Sequence, residues 1–134
     1  MRYELEFHPS LGYVCIRTHG DASVTGFARL IEEITDSPDW TPDTGLLIDH
    51  RRLKPGRLSV DEMDQIKDLV KEKKPIVGNG RCAFLVGNQL GFGLARMYEL
   101  VGGDSLHSAI KVFYSEDEAL EWLTGNEARP RTEE

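Results

Sequence analysis

An acid, an imidazole and two guanidinium groups follow one another at Asp49-His50-Arg51-Arg52, directly after the apolar residues 46–48. Such side chains can transfer protons or bind anions, and α/β proteins place binding groups at the carboxyl ends of parallel strands. Neighbouring residues of a strand point to opposite faces, so Asp49 and His50 would not form an acid–base pair. No nucleophile or substrate site accompanies them. We therefore expect no catalytic residue and expect Asp49 to bond loop amides or a nearby arginine, with an enzyme that uses Asp49 and His50 as the alternative.

A local basic cluster interrupts an otherwise acidic chain, and it consists of Arg51, Arg52, Lys54 and Arg57. Guanidinium groups bind carboxylate or phosphate in a bidentate manner, so the cluster could hold an anion. The alternative is a solvated loop that pairs with Asp43 or Glu62.

A glycine-rich segment covers residues 87–93, between an apolar strand pattern and a helical pattern. This position would suit an anion at a helix N-terminus. The spacing matches neither GxGxxG nor GxxxxGKS/T, the common phosphate-binding patterns. We expect the glycines to allow close packing of the helix on the sheet.

Two aromatic residues, Trp40 and Phe92, lie beside predicted loops, and Arg96 and Tyr98 follow on the next helix. They could line a pocket for an apolar ligand or a subunit interface, and ordinary packing is the alternative. The candidate ligand-binding residues are Asp49, His50, Arg51, Phe92, Arg96 and Trp40.

The histidines and cysteines show no metal-ligand spacing; they are His8, His19, His50, His107, Cys15 and Cys82. Both cysteines lie in apolar strand patterns, which favours two reduced and buried thiols. We expect no metal and no cofactor.

The positions of these side chains depend on a predicted order of elements ββαβαβαβα, in which strands and helices alternate after a hairpin. The strands are predicted at residues 3–7, 13–18, 46–49, 82–86 and 110–113, and the helices at about 24–34, 59–74, 90–101 and from 116 on. This alternation predicts one α/β domain with a mostly parallel five-stranded sheet and an antiparallel N-terminal strand.

Helix faces and caps follow from spacing. The pair Ser59 and Glu62 forms a capping-box pattern, as does the pair Ser115 and Glu118, and either Ser23 or Asp21 could cap the first helix. The third helix is expected to bury Leu90, Leu94, Met97 and Leu100.

The composition is that of an ordinary globular domain, with 134 residues, 40% hydrophobic and 29% charged. A net charge of -7 disfavours binding to nucleic acid or to an anionic membrane surface. No apolar run approaches about 20 residues, and Met1 leads directly into a strand pattern, so we expect no membrane insertion, no signal peptide and a cytoplasmic location.

Three stretches carry a resemblance to a known fold: residues 46–49, 92–99 and 112–123. In this order the chain resembles the STAS fold of sporulation anti-sigma-factor antagonists, and it is most similar to a bacterial STAS-like branch. The resemblance implies a STAS-like domain over residues 1–124, wound as a (β/α) superhelix, and a polar, disordered tail at 125–134. The same architecture occurs in CRAL-TRIO lipid carriers, which implies binding of a lipophilic molecule.

One position departs from that family. The antagonists carry a phosphorylated serine after the third strand, whereas Asp49-His50-Arg51-Arg52 stands there in this chain. Ser59 is the nearby serine, and its spacing to Glu62 is explained by helix capping. The phosphorylation site is therefore not transferred to this chain.

The resulting expectation is a non-enzymatic binding or regulatory module that carries a small lipophilic or amphipathic molecule. The alternative is a partner-switching regulator of the antagonist type, which acts through protein contact. An exposed helix face could also form a symmetric homodimer.

Overall fold

A five-stranded sheet with strand order β1-β2-β3-β4-β5 forms the centre of the computed structural model, which describes residues 1–56 and 58–125. Strand β1 is antiparallel to β2, and β2 to β5 are parallel neighbours. The predicted α/β architecture with one antiparallel N-terminal strand is confirmed. Arg57 and residues 126–134, which include most of the predicted tail, lie outside the described residues.

The strands are β1 (Arg2–His8), β2 (Tyr13–Asp21), β3 (Gly45–Lys54), β4 (Cys82–Leu85) and β5 (Ile110–Phe113). The helices are α1 (Val24–Asp36), α2 (Val60–Glu72), the single-turn α3 (Lys74–Val77), α4 (Gln89–Leu100) and α5 (Glu116–Thr124), and two short 3-10 turns cover Pro9–Leu11 and Gly103–Leu106.

Serine side-chain caps fix where three helices begin, because they satisfy amide groups that the first helical turn leaves without partners. Ser23 caps α1 by accepting a hydrogen bond from the amide of Gly26. Ser59 and Glu62 form the predicted reciprocal capping box of α2, and Ser115 caps α5. Serine spacing therefore located the starts of α2 and α5 from the sequence, and the structure selects Ser23 over Asp21 as the cap of α1.

The two faces of the sheet bury different helices. Helix α5 packs against β3, β4 and β5, and its buried Ala119 and Trp122 belong to one hydrophobic cluster with Leu47 and Leu85 of the sheet. Helices α1, α2 and α4 cover the opposite face, where Ile16 and Phe84 are buried. Because strand residues alternate between faces, each position on β3 belongs either to the α5 side or to the side of α1, α2 and α4.

The buried face of α4 differs from the predicted one. Leu90 is 65% exposed and Leu100 is 79% exposed, whereas Leu94, Ala95 and Tyr98 are buried. Gly91 lies on the buried side of α4 and permits a close approach, because a Cβ atom there would lie 3.1 Å from the side chain of Val86. The helix approaches the sheet through its small residues, and two of its leucines face outward.

Strands β2 and β3 are both longer than predicted. The sequence predicted strand ends at Thr18 and Asp49, but the strands pair as far as Asp21 and Lys54. No apolar pattern marks the extensions, because their backbones pair while several of their side chains remain partly or fully exposed. Asp49 to Arg52 therefore lie within a strand and not at its end.

No helix in the described part of the chain is both long and apolar enough to cross a membrane. Cys15 and Cys82 are buried free thiols, as predicted.

Candidate functional site

A cavity of about 100 Å³ lies between the sheet and helices α1, α2 and α4. Its floor includes Ile16 and Ile48 from the sheet, and its walls include Leu30 of α1 and Ile66 of α2. No Asp, Glu, Lys or Arg of the described residues lines it. The polar side chains in its lining belong to Thr35, Trp40, His50, Tyr98 and His107. The space is therefore apolar, with a few uncharged hydrogen-bonding groups.

His50 reaches this cavity from β3 and is 4% exposed. Its Nδ1 atom lies 2.6 Å from the hydroxyl oxygen of Thr18, and that hydroxyl also lies 3.1 Å from the main-chain oxygen of Asp49. Burial lowers the pKa of His50 to about 4, against a smaller opposing effect of the Asp49 charge. The imidazole is consequently neutral at pH 7.

Tyr98 and His107 form a second buried polar pair in the cavity lining. The phenol oxygen of Tyr98 lies 3.0 Å from Nε2 of His107. Burial lowers the pKa of His107 to about 4, and the nearby ammonium group of Lys74 adds to this effect. Burial also raises the pKa of Tyr98, so both groups are neutral at pH 7.

Trp40 is placed by the loop between α1 and β3. Its indole Nε1 donates a hydrogen bond of 2.9 Å to the main-chain oxygen of Ile76. The ring is buried and lines the cavity beside Val77. The aromatic residue that the sequence placed beside a loop therefore belongs to the cavity.

Asp49 points to the other face of the sheet, as strand alternation predicted. It is 6% exposed and accepts hydrogen bonds from the guanidinium groups of Arg17 and Arg51 and from the amide of Arg51. Both arginines also bind Glu116 at the start of α5. Burial alone would raise the pKa of Asp49, but the hydrogen bonds from Arg51 and Arg17 outweigh it and lower this pKa. The prediction that Asp49 binds a nearby arginine is confirmed.

A β-bulge arranges the charged groups beside Asp49. Arg17 is paired with Asp49 and His19 with Arg52, so one residue of β2 faces two residues of β3. The extra residue places Arg51 and Arg52 on the side of Asp49, while His50 points to the cavity. A polar groove on this face is lined by Glu4, Arg17, Thr18, His19, Asp49, Arg51 and Arg52. Because Arg17 and Arg51 already bind Asp49 and Glu116, much of the positive charge of the groove is neutralised within the protein.

Phe92 and Arg96 lie away from both the cavity and the polar groove, on the outer side of α4. Phe92 is 39% exposed and stacks on Tyr114, with ring centroids 6.5 Å apart. Arg96 is also exposed and binds Glu99 at 3.1 Å. The structure thus brings His50 and Trp40 together at the cavity, Asp49 and Arg51 together on the opposite face, and Phe92 and Arg96 together on α4.

Sequence reasoning did not single out Thr18 or His107. Thr18 points to the same face of β2 as Val14 and Ile16, the apolar residues two and four positions before it. This alternation could have predicted that Thr18 is buried. His107 follows a 3-10 turn, where no periodic pattern exists to indicate burial. Across residues 1–56 and 58–125, no group of three or more His, Cys, Asp or Glu side chains could hold a metal ion.

A solved structure with the same fold is that of an uncharacterised protein of the DUF3478 family, with a SpoIIAA-like fold, from Shewanella loihica PV-4. The TM-score is 0.59 and the sequence identity 20%, and the alignment covers 91% of this chain and 92% of that chain. No family model and no curated protein sequence matches this chain. At this identity the similarity shows the fold alone, and the predicted STAS-like fold is confirmed.

Proposed function

We propose that this protein is a non-enzymatic binding module that holds a small apolar or amphipathic molecule between its sheet and helices α1, α2 and α4. The observation that carries the proposal is the apolar cavity of about 100 Å³. At about 24 cal/mol per Å³, an empty space of that size lowers stability by about 2 kcal/mol. A bound molecule that fills the space would recover this free energy.

The size of the cavity limits what binds without rearrangement. An engineered cavity of about 150 Å³ in another protein binds benzene. The present cavity is somewhat smaller, so it suits one ring or a short aliphatic chain. Ile31 and Thr35 of α1 and Val70 of α2 line it and are only partly buried. The gap between these two helices is therefore the route of entry, and their separation would admit a longer chain.

The chemistry around the cavity supports binding over catalysis. The hydroxyl of Thr18 lies beside His50 but does not line the cavity, and Asp49 points to the opposite face. Burial raises the pKa of Cys15 to about 11 and raises that of Cys82 further, so both thiols are protonated at pH 7. The groups that line the cavity are neutral and can orient a ligand through hydrogen bonds.

Fluorobenzene titrated into the protein and followed by ¹⁹F NMR tests this proposal. We expect saturable binding that weakens at least about tenfold in Val70→Phe, whose ring would occupy the cavity. The matched control is Val60→Phe on the same helix, because Val60 is 58% exposed and lies outside the cavity lining. Absence of saturable binding to the unmodified protein, or equal weakening by both variants, would refute a ligand role for the cavity. Native mass spectrometry after gentle purification would identify a molecule that copurifies.

Contact with a protein partner is a second candidate, and the outer face of α4 favours it. Phe92, Arg96 and Leu100 are spaced four residues apart and are exposed, and Tyr114 extends the apolar surface. Sedimentation velocity over a range of concentrations tests whether the partner is a second copy. Self-association should be lost in Leu100→Glu and kept in Val60→Glu, and a protein that stays monomeric throughout would exclude a homodimer through α4.

A further inference from the structure

Among the described residues, one nitrogen atom of the cavity lining has no hydrogen-bond partner. Nδ1 of His50 is directed at Thr18, which does not line the cavity, whereas the imidazole of His50 does line it. Nε2 lies on the side of the ring away from Nδ1, and none of the side chains and main-chain groups that the structure describes forms a hydrogen bond with it. Every fully enclosed side-chain nitrogen or oxygen in this part of the chain has a partner, which places the unpaired Nε2 next to open space.

The proton positions around Thr18 determine the chemistry of that nitrogen. The hydroxyl of Thr18 has a single proton, and donation to the main-chain oxygen of Asp49 uses it. The short contact to His50 is then a hydrogen bond that Nδ1–H donates to the hydroxyl oxygen. The opposite arrangement, in which Thr18 donates to Nδ1, makes one hydrogen bond where the first makes two. The first arrangement leaves Nε2 as an unprotonated acceptor.

Resting on the proposed function, we propose that the bound molecule is a neutral amphipathic compound with a hydroxyl group, which donates a hydrogen bond to Nε2 of His50. A pure hydrocarbon would fill the space but leave this acceptor unpaired. A carboxylate would be buried where no lysine or arginine lines the cavity, and a neutral imidazole with an unprotonated Nε2 cannot compensate its charge. A phenol, or an alcohol on a short chain, satisfies both the apolar lining and the acceptor.

The test compares fluorobenzene, 4-fluorophenol and 4-fluorobenzoate in ¹⁹F NMR titrations at pH 7.5. One net hydrogen bond corresponds to binding of 4-fluorophenol about tenfold tighter than fluorobenzene, and 4-fluorobenzoate should bind most weakly. In His50→Phe the two ligands should bind about equally tightly, because the variant keeps an aromatic ring at this position but lacks the acceptor nitrogen. Thr18 keeps its bond to Asp49 in this variant. His8→Phe is the matched control, because His8 lies outside the cavity lining and the substitution keeps a ring beside Tyr13, and it should keep the preference.

The outcomes separate the two proposals. If neither fluorobenzene nor 4-fluorophenol binds, the cavity is not a ligand site and the proposed function fails. If fluorobenzene binds but the phenol binds no more tightly, or if His50→Phe keeps the preference for the phenol, the role of His50 is wrong while the cavity site stands. The ¹⁵N resonance of Nε2 in the unmodified protein gives a readout that does not depend on a variant. It should have the shift of an unprotonated nitrogen and move upfield with 4-fluorophenol, and a protonated Nε2 in the free protein would overturn the assignment.

Discussion

Acidification from pH 7 to pH 5 should destabilise this protein through His50 and His107. Burial lowers the pKa of each imidazole to about 4, from an ordinary value of 6.5. The Asp49 charge opposes this shift at His50, and Lys74 adds to it at His107. Because the folded pKa is the lower one, the unfolded chain binds more protons between these values. The contribution of these two histidines to the free energy of unfolding is therefore fully present above about pH 6.5, and it is lost as the pH falls toward 4.

The expected loss is large compared with the total stability of a domain. For one histidine with these two pKa values, the free energy of unfolding falls by about 2 kcal/mol between pH 7 and pH 5. The two histidines together give about 4 kcal/mol, against a total of about 5–15 kcal/mol for a typical domain. Asp49 does not contribute in this range, because its folded pKa lies below the ordinary value of 3.8.

Urea unfolding followed by tryptophan fluorescence at several pH values measures this loss. The free energy of unfolding should fall as the pH is lowered. Near pH 5 its slope against pH should correspond to nearly two more protons bound by the unfolded chain than by the folded protein. His50→Gln and His107→Gln each replace an imidazole by a neutral amide, and each should reduce the slope by about one proton. Slopes that stay unchanged in both variants, or stability that rises on acidification, would show that these imidazoles are not held neutral by burial.

Three further substitutions, two of them with a control variant, test the fold and the ion pairs around Asp49. Gly91→Ala should destabilise the protein by about 1–3 kcal/mol in thermal unfolding, because the added Cβ atom would lie 3.1 Å from a valine side chain. The control is Gly93→Ala on the same helix. Its Cβ atom meets open space, so this variant should be more stable by up to about 1 kcal/mol. Asp49→Asn should lower the free energy of unfolding by about 3 kcal/mol, because it removes the buried charge that two arginines bind. The control is Arg52→Gln. Arg52 is exposed, so this substitution should change the free energy of unfolding by less than about 0.5 kcal/mol. Ser59→Ala should cost about 1 kcal/mol in urea unfolding through loss of the capping box, and a loss near zero would reopen a non-structural role for this serine.

The sequence predicted the elements well where a single local signal defines them. Serine caps located the starts of α2 and α5, the start of α1 was left open between Ser23 and Asp21, and alternation separated Asp49 from His50. The predicted buried face of α4 was wrong for Leu90 and Leu100, because the leucines were assumed to face inward. In the structure the small residues Gly91 and Ala95 are buried instead. The ends of β2 and β3 were missed, because exposed charged side chains on paired backbones resemble a loop in sequence.

The candidate site was predictable only in part, since a cavity is a property of packing between distant elements. Trp40 and His50 were named as candidates, but nothing local indicates that they meet Leu30, Ile66 and His107 around one space. The unpaired nitrogen of His50 depends on its bond to Thr18, which is 32 positions away in the sequence. Such a relation follows from the register of β2 and β3, and that register contains a bulge that no sequence pattern marked.

Thr18 is the point at which the two faces of β3 influence each other. Its hydroxyl binds the main-chain oxygen of Asp49 and Nδ1 of His50, whereas the ion pairs with Arg17 and Arg51 use the side chain of Asp49. Changing that side chain therefore leaves the hydrogen bond that fixes the tautomer of His50 in place. Removing the hydroxyl with Thr18→Val would instead free Nδ1 and let the imidazole proton move to Nε2. The charged face thus contributes stability, and the hydrogen-bonding chemistry of the cavity is set by one buried threonine.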